Sequence, residues 1–521
     1  MQRSLSDILS EIFFDHQLGI DTETLEEYSL ALNGSKSLPG AIVWPENEEQ
    51  LIQLIRAANR FHFEIHPVAQ GKNWGYGTAQ GSKSGQVIAN LSRMNSVLEI
   101  NDQQAYVRVQ PGISQSQLYR ALQAQSSLLQ LDITAAGLHT SVVGNILERG
   151  FGHTDYTNRF GNVLAMRVLL PTGEVINTGM GMYLTSKAEH LYPYGIGPIL
   201  SGLFTQSNLG IVLEMTIALQ PKPEYQATVL VMCKDDHAAP DMVATIAKLK
   251  LDGVVTSGVH TASMTRAIGE QAAKTAGAWV LTTSLAGPKS IVKARFKHFK
   301  RTILANVPNS KVLMFDDFRW DLLSKLNRYL KSPMIASLKL VIDLKKGVPS
   351  DEAMKTLLDT REARSCMKTS EFPACFRWIC AVSSFLPQDI KQMLDICRHV
   401  FKKYGYEERY TMTNVSERAV VLIANIRYDN TGDQLKKAAA FYQELDHELI
   451  TAGFCPYRSG PGMFDSIQPH LKAPHLALLK KLKQTMDPNN ILSPNKYWLD
   501  GQSTENRSEF VKKQAQAEEV H

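Results

Sequence analysis

Cysteine is scarce and scattered: Cys233, Cys366, Cys375, Cys380, Cys397 and Cys455 are spread through 521 residues with no C-x-x-C pair among them. This spacing argues against a disulfide framework or a cysteine redox motif, and it suits free thiols in a reducing compartment. No run of about 18 or more apolar residues occurs, so no membrane-spanning helix is expected. The opening stretch, MQRSLSDILSEIFFDHQLG, sets Asp7, Glu11 and Asp15 into its apolar pattern. That reads as a short amphipathic helix and not as a signal peptide, which makes a cytoplasmic protein the expectation. Lys and Arg number 56 against 51 Asp and Glu, a net charge of +5, and they are scattered. With no basic stripe interleaved with aromatics, nucleic acid is not an expected partner. Internal repeats and low-complexity tracts are missing too, and no metal site is expected.

The length exceeds what one hydrophobic core of about 250–300 residues fills, so two or more domains are expected. In chain order, a strand over 41–45 ends at Pro45, and Asn47 caps a helix over 48–59 with apolar residues at 51, 52, 54, 55 and 58. A strand over 63–68, a glycine loop and a strand over 87–91 follow. A strand over 106–109 then leads into a helix over 114–125. Residues 140–150 read as a glycine-bounded turn. Residues 163–175 read as a hairpin turning at Thr172-Gly173, and a polar turn feeds a strand over 212–219. Pro221-Lys-Pro223 is the clearest break. Beyond it, strands over 227–233, 338–344, 378–384 and 420–426 alternate with helices over 291–305, 387–404 and 433–452, the pattern of an α+β domain. Residues 501–521 read as a flexible tail.

The chain is organised around His66 to Gly81, HPVAQGKNWGYGTAQG, which carries Gly71, Gly75, Gly77 and Gly81 between two strand-like runs. Such a loop is either a surface turn or a concavity whose backbone N–H groups bind an anion, phosphate above all. Its glycine spacing is not that of a Rossmann fingerprint, and Lys72 has no Ser or Thr after it as a Walker loop requires.

Six ordered blocks resolve the ambiguity: GKNWGYG (71–77), SVVGNILERGFGHT (141–154), LLPTGEVINTGMG (169–181), YPYGIGPILSGLFTQSNLGIV (192–212), PYRSG (456–460) and DPNNILSPNKY (487–497). Together they closely resemble the vanillyl-alcohol oxidase and p-cresol methylhydroxylase family of flavoproteins, in its 4-hydroxyphenyl-oxidising branch near eugenol oxidase. The likeness runs from about Leu38 to Pro223 and returns from Tyr457 to Tyr497. It implies an α+β fold: a two-part FAD-binding domain (1–223), an α+β cap over the flavin (224–455), and a C-terminal return to the first domain (456–500). Gly71, Lys72, Asn73, Gly75, Gly77, Gly144, Asn145, Gly210 and Val212 are then the expected FAD-binding residues.

At the substrate end, Tyr76, Tyr457 and Arg458 match the family's phenolate clamp. Two phenol O–H donors and a guanidinium converging on one oxygen favour its ionised form. The resemblance implies hydride removal from the benzylic carbon of a para-substituted phenol to flavin N5, by way of a quinone methide. The bland reading of the same residues is two packed tyrosines and an arginine paired with a carboxylate.

Two departures from the family pattern bear on mechanism. Its flavin-linking histidine falls at Val421 or Leu422 when aligned on Tyr428-Asp429, and the alternative linking position in the glycine loop is Lys72, so non-covalent FAD is expected. Where the family has an Asp facing the flavin, this chain has Thr134-Ala135-Ala136. His139 and His153 are new in that neighbourhood, and an imidazole with pKa near ~6.5 suits proton transfer at neutral pH. Both are candidate catalytic residues. Oxidation of a different alcohol or amine, and a non-catalytic electron-transfer subunit, stay open as alternatives. So does the electron acceptor among oxygen, a quinone and a protein; a homodimer is possible by analogy with relatives.

Overall fold

The protein is described from a computed structural model that covers residues 3–498 apart from 331, 359, 361, 461 and 462; the tail expected at 501–521 lies outside the described residues. The helix Glu48–Phe61 begins where the Asn47 side chain accepts from the Gln50 N–H at 3.0 Å, and it buries Leu51, Leu54, Ile55 and Ala58. It joins the strands Ala41–Val43 and Ile65–Val68. Both lie parallel to Val87–Asn90 in a four-stranded sheet edged by the antiparallel Leu18–Gly19. A second sheet is five-stranded and antiparallel, with Ile211–Ala218 at its centre between Tyr106–Val109 and Val163–Leu169. Residues 142–147, expected as a turn, form a helix, because the Ser141 hydroxyl caps it by accepting from the Gly144 N–H at 2.8 Å.

Beyond Pro223, strands from Tyr225–Cys233 to Ala419–Tyr428 build an eight-stranded antiparallel sheet. Its period-2 alternation divides two environments. Val229, Val231, Leu281, Met412 and Leu422 pack into a core with the helices Ala239–Leu251, Lys289–Asn306, Pro387–Tyr404 and Gly432–Thr451. Their neighbours Leu230, Met232, Thr282, Thr411, Thr413 and Ile423 face a cavity on the other side.

Two expectations fail here. Residues 338–344 are not a strand but the end of the helix Pro333–Lys345, which opens with Pro at its first turn. Leu338, Ile342 and Lys345 share its buried face at i, i+4 and i+7, a helical period hidden inside a short apolar run. The strand expected over 378–384 is broken into Cys375–Ile379 and Val382–Ser384, both paired with Ala419–Tyr428.

The C-terminal segment returns to the first sheet. The Ile65 N–H donates to the Ile491 carbonyl at 2.7 Å, and the Ser493 N–H to the Ile65 carbonyl at 2.8 Å. The buried Asp487 carboxylate, paired with Lys483, accepts from the N–H groups of Ile491 and Leu492 and holds this turn. Among the described residues no helix is long and apolar enough to cross a membrane.

Candidate active site

Two cavities meet at the glycine loop. The first is walled by residues 66–82, the start of the helix Val142–Leu147, the turn before Ile211, and residues 458–460 and 496–497. Gly71, Lys72, Asn73, Gly77, Gly144, Asn145, Gly210 and Val212 all line it. Gly71 and Gly77 have φ of +63° and +105°, the left-handed region that glycine enters without strain. At Gly210 a Cβ would sit 2.7 Å from Val168 Cγ1, so only glycine lets the backbone lie there. Bare backbone and small residues suit the phosphates and extended chain of FAD.

Gly75 is different. It lines neither cavity, and a Cβ on it would meet Trp378 Cδ1 at 2.7 Å and Phe376 Cε2 at 2.8 Å. Its missing side chain admits the cap strand Cys375–Ile379. Lys72 is also turned toward the cap, with its ammonium donating to the Met367 carbonyl at 2.9 Å.

The structure brings Tyr76, Tyr457 and Arg458 together where the two cavities join. Three segments assemble them. The Tyr457 N–H donates to the Cys380 carbonyl at 3.3 Å and the Cys380 thiol donates back to the Arg458 carbonyl at 3.0 Å, tying residues 457–458 to the cap sheet. Arg458 Nη2 then donates to Asn73 Oδ1 in the glycine loop. Its guanidinium lies 4.2 Å from the Tyr76 ring centre, and its Nε is 3.6 Å from Glu148 Oε2.

Glu148, at the end of the helix Val142–Leu147, was not singled out by sequence reasoning although it lies inside a matched block. It accepts from the Tyr497 hydroxyl and pairs with Lys496 at 3.6 Å. Burial pushes its carboxyl up, but Lys496 and Arg458 outweigh that and hold it below its ordinary range. Arg458 is buried and is held charged by Glu148. Burial raises the Tyr457 phenol to about 12 and the Tyr76 phenol well above its ordinary value. Both therefore remain O–H donors at neutral pH.

The second cavity, about 390 Å³, lies between this cluster and the open face of the cap sheet. Thr134, Ala135 and Ala136 line it beside His153. The His153 ring packs against His260 at a tilt of 32°, with centroids 4.3 Å apart. Burial, then Lys345 and Arg159, pushes His153 down to about 3, which corrects the expectation of a histidine titrating near neutrality. His260 Nδ1 meets Thr413 Oγ1 at 3.1 Å, while its Nε2 is buried with no partner among the described residues. His139 is not brought to the site: it is exposed, lines neither cavity, and uses its backbone N–H on Ser365. Asp132 serves the backbone, its Oδ1 accepting from the N–H groups of His153 and Thr154 and from the Thr154 hydroxyl.

Residues 39–179 match the FAD binding domain family. The chain is 26% identical over 502 residues to the 4-cresol dehydrogenase [hydroxylating] flavoprotein subunit of Pseudomonas putida, covering 93% of each chain. It is 27% identical over 502 residues to 1'-carboxy-chondrochloren decarboxylase of Chondromyces crocatus, covering 88% of this chain and 90% of that one. The solved structure of p-cresol methylhydroxylase with substrate bound has the same fold, with a TM-score of 0.86 at 24% identity over 95% of this chain and 96% of that one.

Proposed function

We propose that this chain, an FAD-dependent oxidoreductase with the fold of p-cresol methylhydroxylase, removes a hydride from the benzylic carbon of a para-substituted phenol. The observation that carries the reading is the convergence of Tyr76, Tyr457 and Arg458 at the junction of the two cavities. Glu148 pairs with Arg458 and holds its guanidinium charged and in place beside the two phenols. A fixed guanidinium and two phenol donors favour a phenolate over a phenol. Ionisation pushes electron density toward the para carbon, so a hydride can leave the benzylic position and a quinone methide remains. Bound FAD, held by the glycine cradle without a covalent link, supplies the two-electron acceptor.

The fate of the quinone methide follows from what surrounds it. Among the described residues no Asp or Glu lines the second cavity, and His153 at about 3 is a weak base. Hydration, which needs a proton acceptor, is poorly served. This favours a second reading of the later step, in keeping with the relationship to 1'-carboxy-chondrochloren decarboxylase. A carboxylate on the carbon next to the benzylic one can leave as CO₂, and its bonding pair forms the C=C as the ring regains aromaticity. That step needs no base.

The test is anaerobic titration of the holoenzyme with 4-alkylphenols, 4-hydroxybenzyl alcohols and 3-(4-hydroxyphenyl)propanoate, recording the visible spectrum and released CO₂. Bleaching of the flavin bands is the expected result. A spectral shift without bleaching by any of them would remove hydride abstraction from phenols as the function, and bleaching by the propanoate without CO₂ would remove the second reading.

A further inference from the structure

The second cavity carries a charge that the phenolate clamp does not explain. Its walls include three cations, Lys72, Arg458 and Arg266, and among the described residues no acid. Arg458 is balanced by Glu148 and Lys72 donates to the Met367 carbonyl. Arg266 differs from both. It sits on the short helix Met264–Ile268, and its Nη1 donates to Asn425 Oδ1 at 3.0 Å. Among the described residues no carboxylate pairs with it, and its Nε and Nη2 have no acceptor. Its two neighbouring arginines, Arg409 and Arg427, both pair with Glu407 at 3.6 Å. Burial, then the charges of Arg409 and Arg427, lowers Arg266 to about 9, so it is still a cation at neutral pH.

The place of this cation in the cavity is defined by Trp378. The Arg266 guanidinium lies 5.6 Å from the Trp378 ring, and the Trp378 indole N–H donates to the Trp74 carbonyl in the glycine loop at 2.8 Å. Trp378 also packs against the cluster that holds Tyr76 and Tyr457. One indole therefore touches both poles, and the surrounding wall of Met264, Ile268, Leu338 and Leu357 is apolar. A buried charge in such a wall is costly until an opposite charge reaches it. With Nη1 committed to Asn425, the free side is the Nε–Nη2 edge, two parallel N–H donors that match the two oxygens of a carboxylate.

We infer that Arg266 is a substrate-recognition residue binding a carboxylate carried on the para substituent, so that the substrate is a phenolic acid with its hydroxyl in the clamp and its acid group on Arg266. This inference rests on the phenol reading above. It concerns a carboxylate held at the end of the substrate's tail, whatever group is lost at the benzylic end.

The test measures binding to the holoenzyme by calorimetry, using 4-hydroxyphenoxyalkanoates of two to six tail carbons, which lack a benzylic C–H and are not oxidised, and their methyl esters. At the best chain length the acid is expected to bind about tenfold or more tighter than its ester, and Arg266→Met is expected to collapse that ratio to about one. Arg266→Lys keeps the charge but loses the side-on edge, and is expected to lower the ratio about fivefold; it also serves if the methionine variant does not fold. An acid-to-ester ratio near one in the wild type, or one unchanged in the variants, would overturn the inference. Phenoxyalkanoates without the 4-hydroxyl separate this reading from the clamp. If they bind as tightly as the hydroxylated acids and still depend on Arg266, the carboxylate subsite stands and the clamp falls. If hydroxylated ligands bind alike with or without the acid, the clamp stands and the subsite falls.

Discussion

The guanidinium of Arg458, near the C-terminal end, lies 4.2 Å over the ring of Tyr76 in the N-terminal glycine loop, while its Nε faces Glu148 at 3.6 Å. The pairing with a carboxylate and the convergence with two tyrosines are thus both true of the same side chain. The carboxylate keeps the arginine charged and fixed, and the tyrosines share with it the face that opens on the cavity.

Arg458→Ala is expected to weaken binding of 4-alkylphenols about tenfold or more and to lower stability by about 3 kcal/mol, because Glu148 stays buried after losing one of its two cations. Tyr457→Phe removes one O–H donor and is expected to cost about 1 kcal/mol of phenol binding with little change in stability. Spectral titration of the flavin and thermal unfolding read the two effects separately. Near wild-type binding in both variants would remove the clamp.

Gly75→Ala should act on the cap and not on the cofactor. With φ at +71° and two aromatic rings within 3 Å of the new methyl, the substitution combines backbone strain with overpacking, about 2–4 kcal/mol together. The expected outcome is a lower unfolding temperature and altered substrate binding, with FAD affinity nearly kept. Loss of FAD with stability unchanged would return this glycine to the cradle.

Lys345 is fully buried behind the His153–His260 pair, its ammonium donating to the Gly258 carbonyl at 2.6 Å. Burial, then Lys250, lowers it from 10.5 to about 7. Between about pH 7 and 10.5 the unfolded chain holds a proton that the folded chain does not, so stability rises with pH through that window, by at most ~1.4 kcal/mol per unit. Below pH 7 both states are protonated and the folded state carries the whole cost. Lys345→Met removes this dependence. Its stability advantage over the wild type should be largest at pH 6.5 and shrink by pH 9.5; equal differences at both values would contradict the assigned titration.

Acid precipitation of the holoenzyme should leave the flavin in the supernatant. Val421 and Leu422 are buried aliphatics in the cap sheet and cannot form a histidyl link, and the Lys72 ammonium is engaged by Met367. A yellow pellet would show a covalent bond to the flavin from another residue.

What was legible in the sequence was local. The helices after Asn47 and Ser114 were legible because a cap needs only its own next turn, whereas the one capped by Ser141 was read as a turn because it is only six residues long and carries Gly144. The left-handed backbone at Gly71 and Gly77 was legible for the same local reason. Gly75, two residues before Gly77, carries a further requirement imposed from across the molecule by Trp378 and Phe376, which no local pattern states. The apolar run at 338–344 was misread because so short a stretch satisfies a strand or a helix equally until Ser332 and Pro333 start the turn.

The sequence by itself determined the FAD-binding fold, since ordered motifs and backbone preferences travel with the chain. Only the tertiary structure decided which charges are balanced. Nothing in the segments around Glu148, Arg266, His153 and Lys345 states how deeply each is buried or which partner it meets. Desolvation and Coulomb energies depend on burial and distance, and those arise when the cap sheet closes over the glycine loop. There Glu148 meets Arg458, His153 loses its basicity, and Arg266 is left facing a cavity among the described residues without an acid of its own.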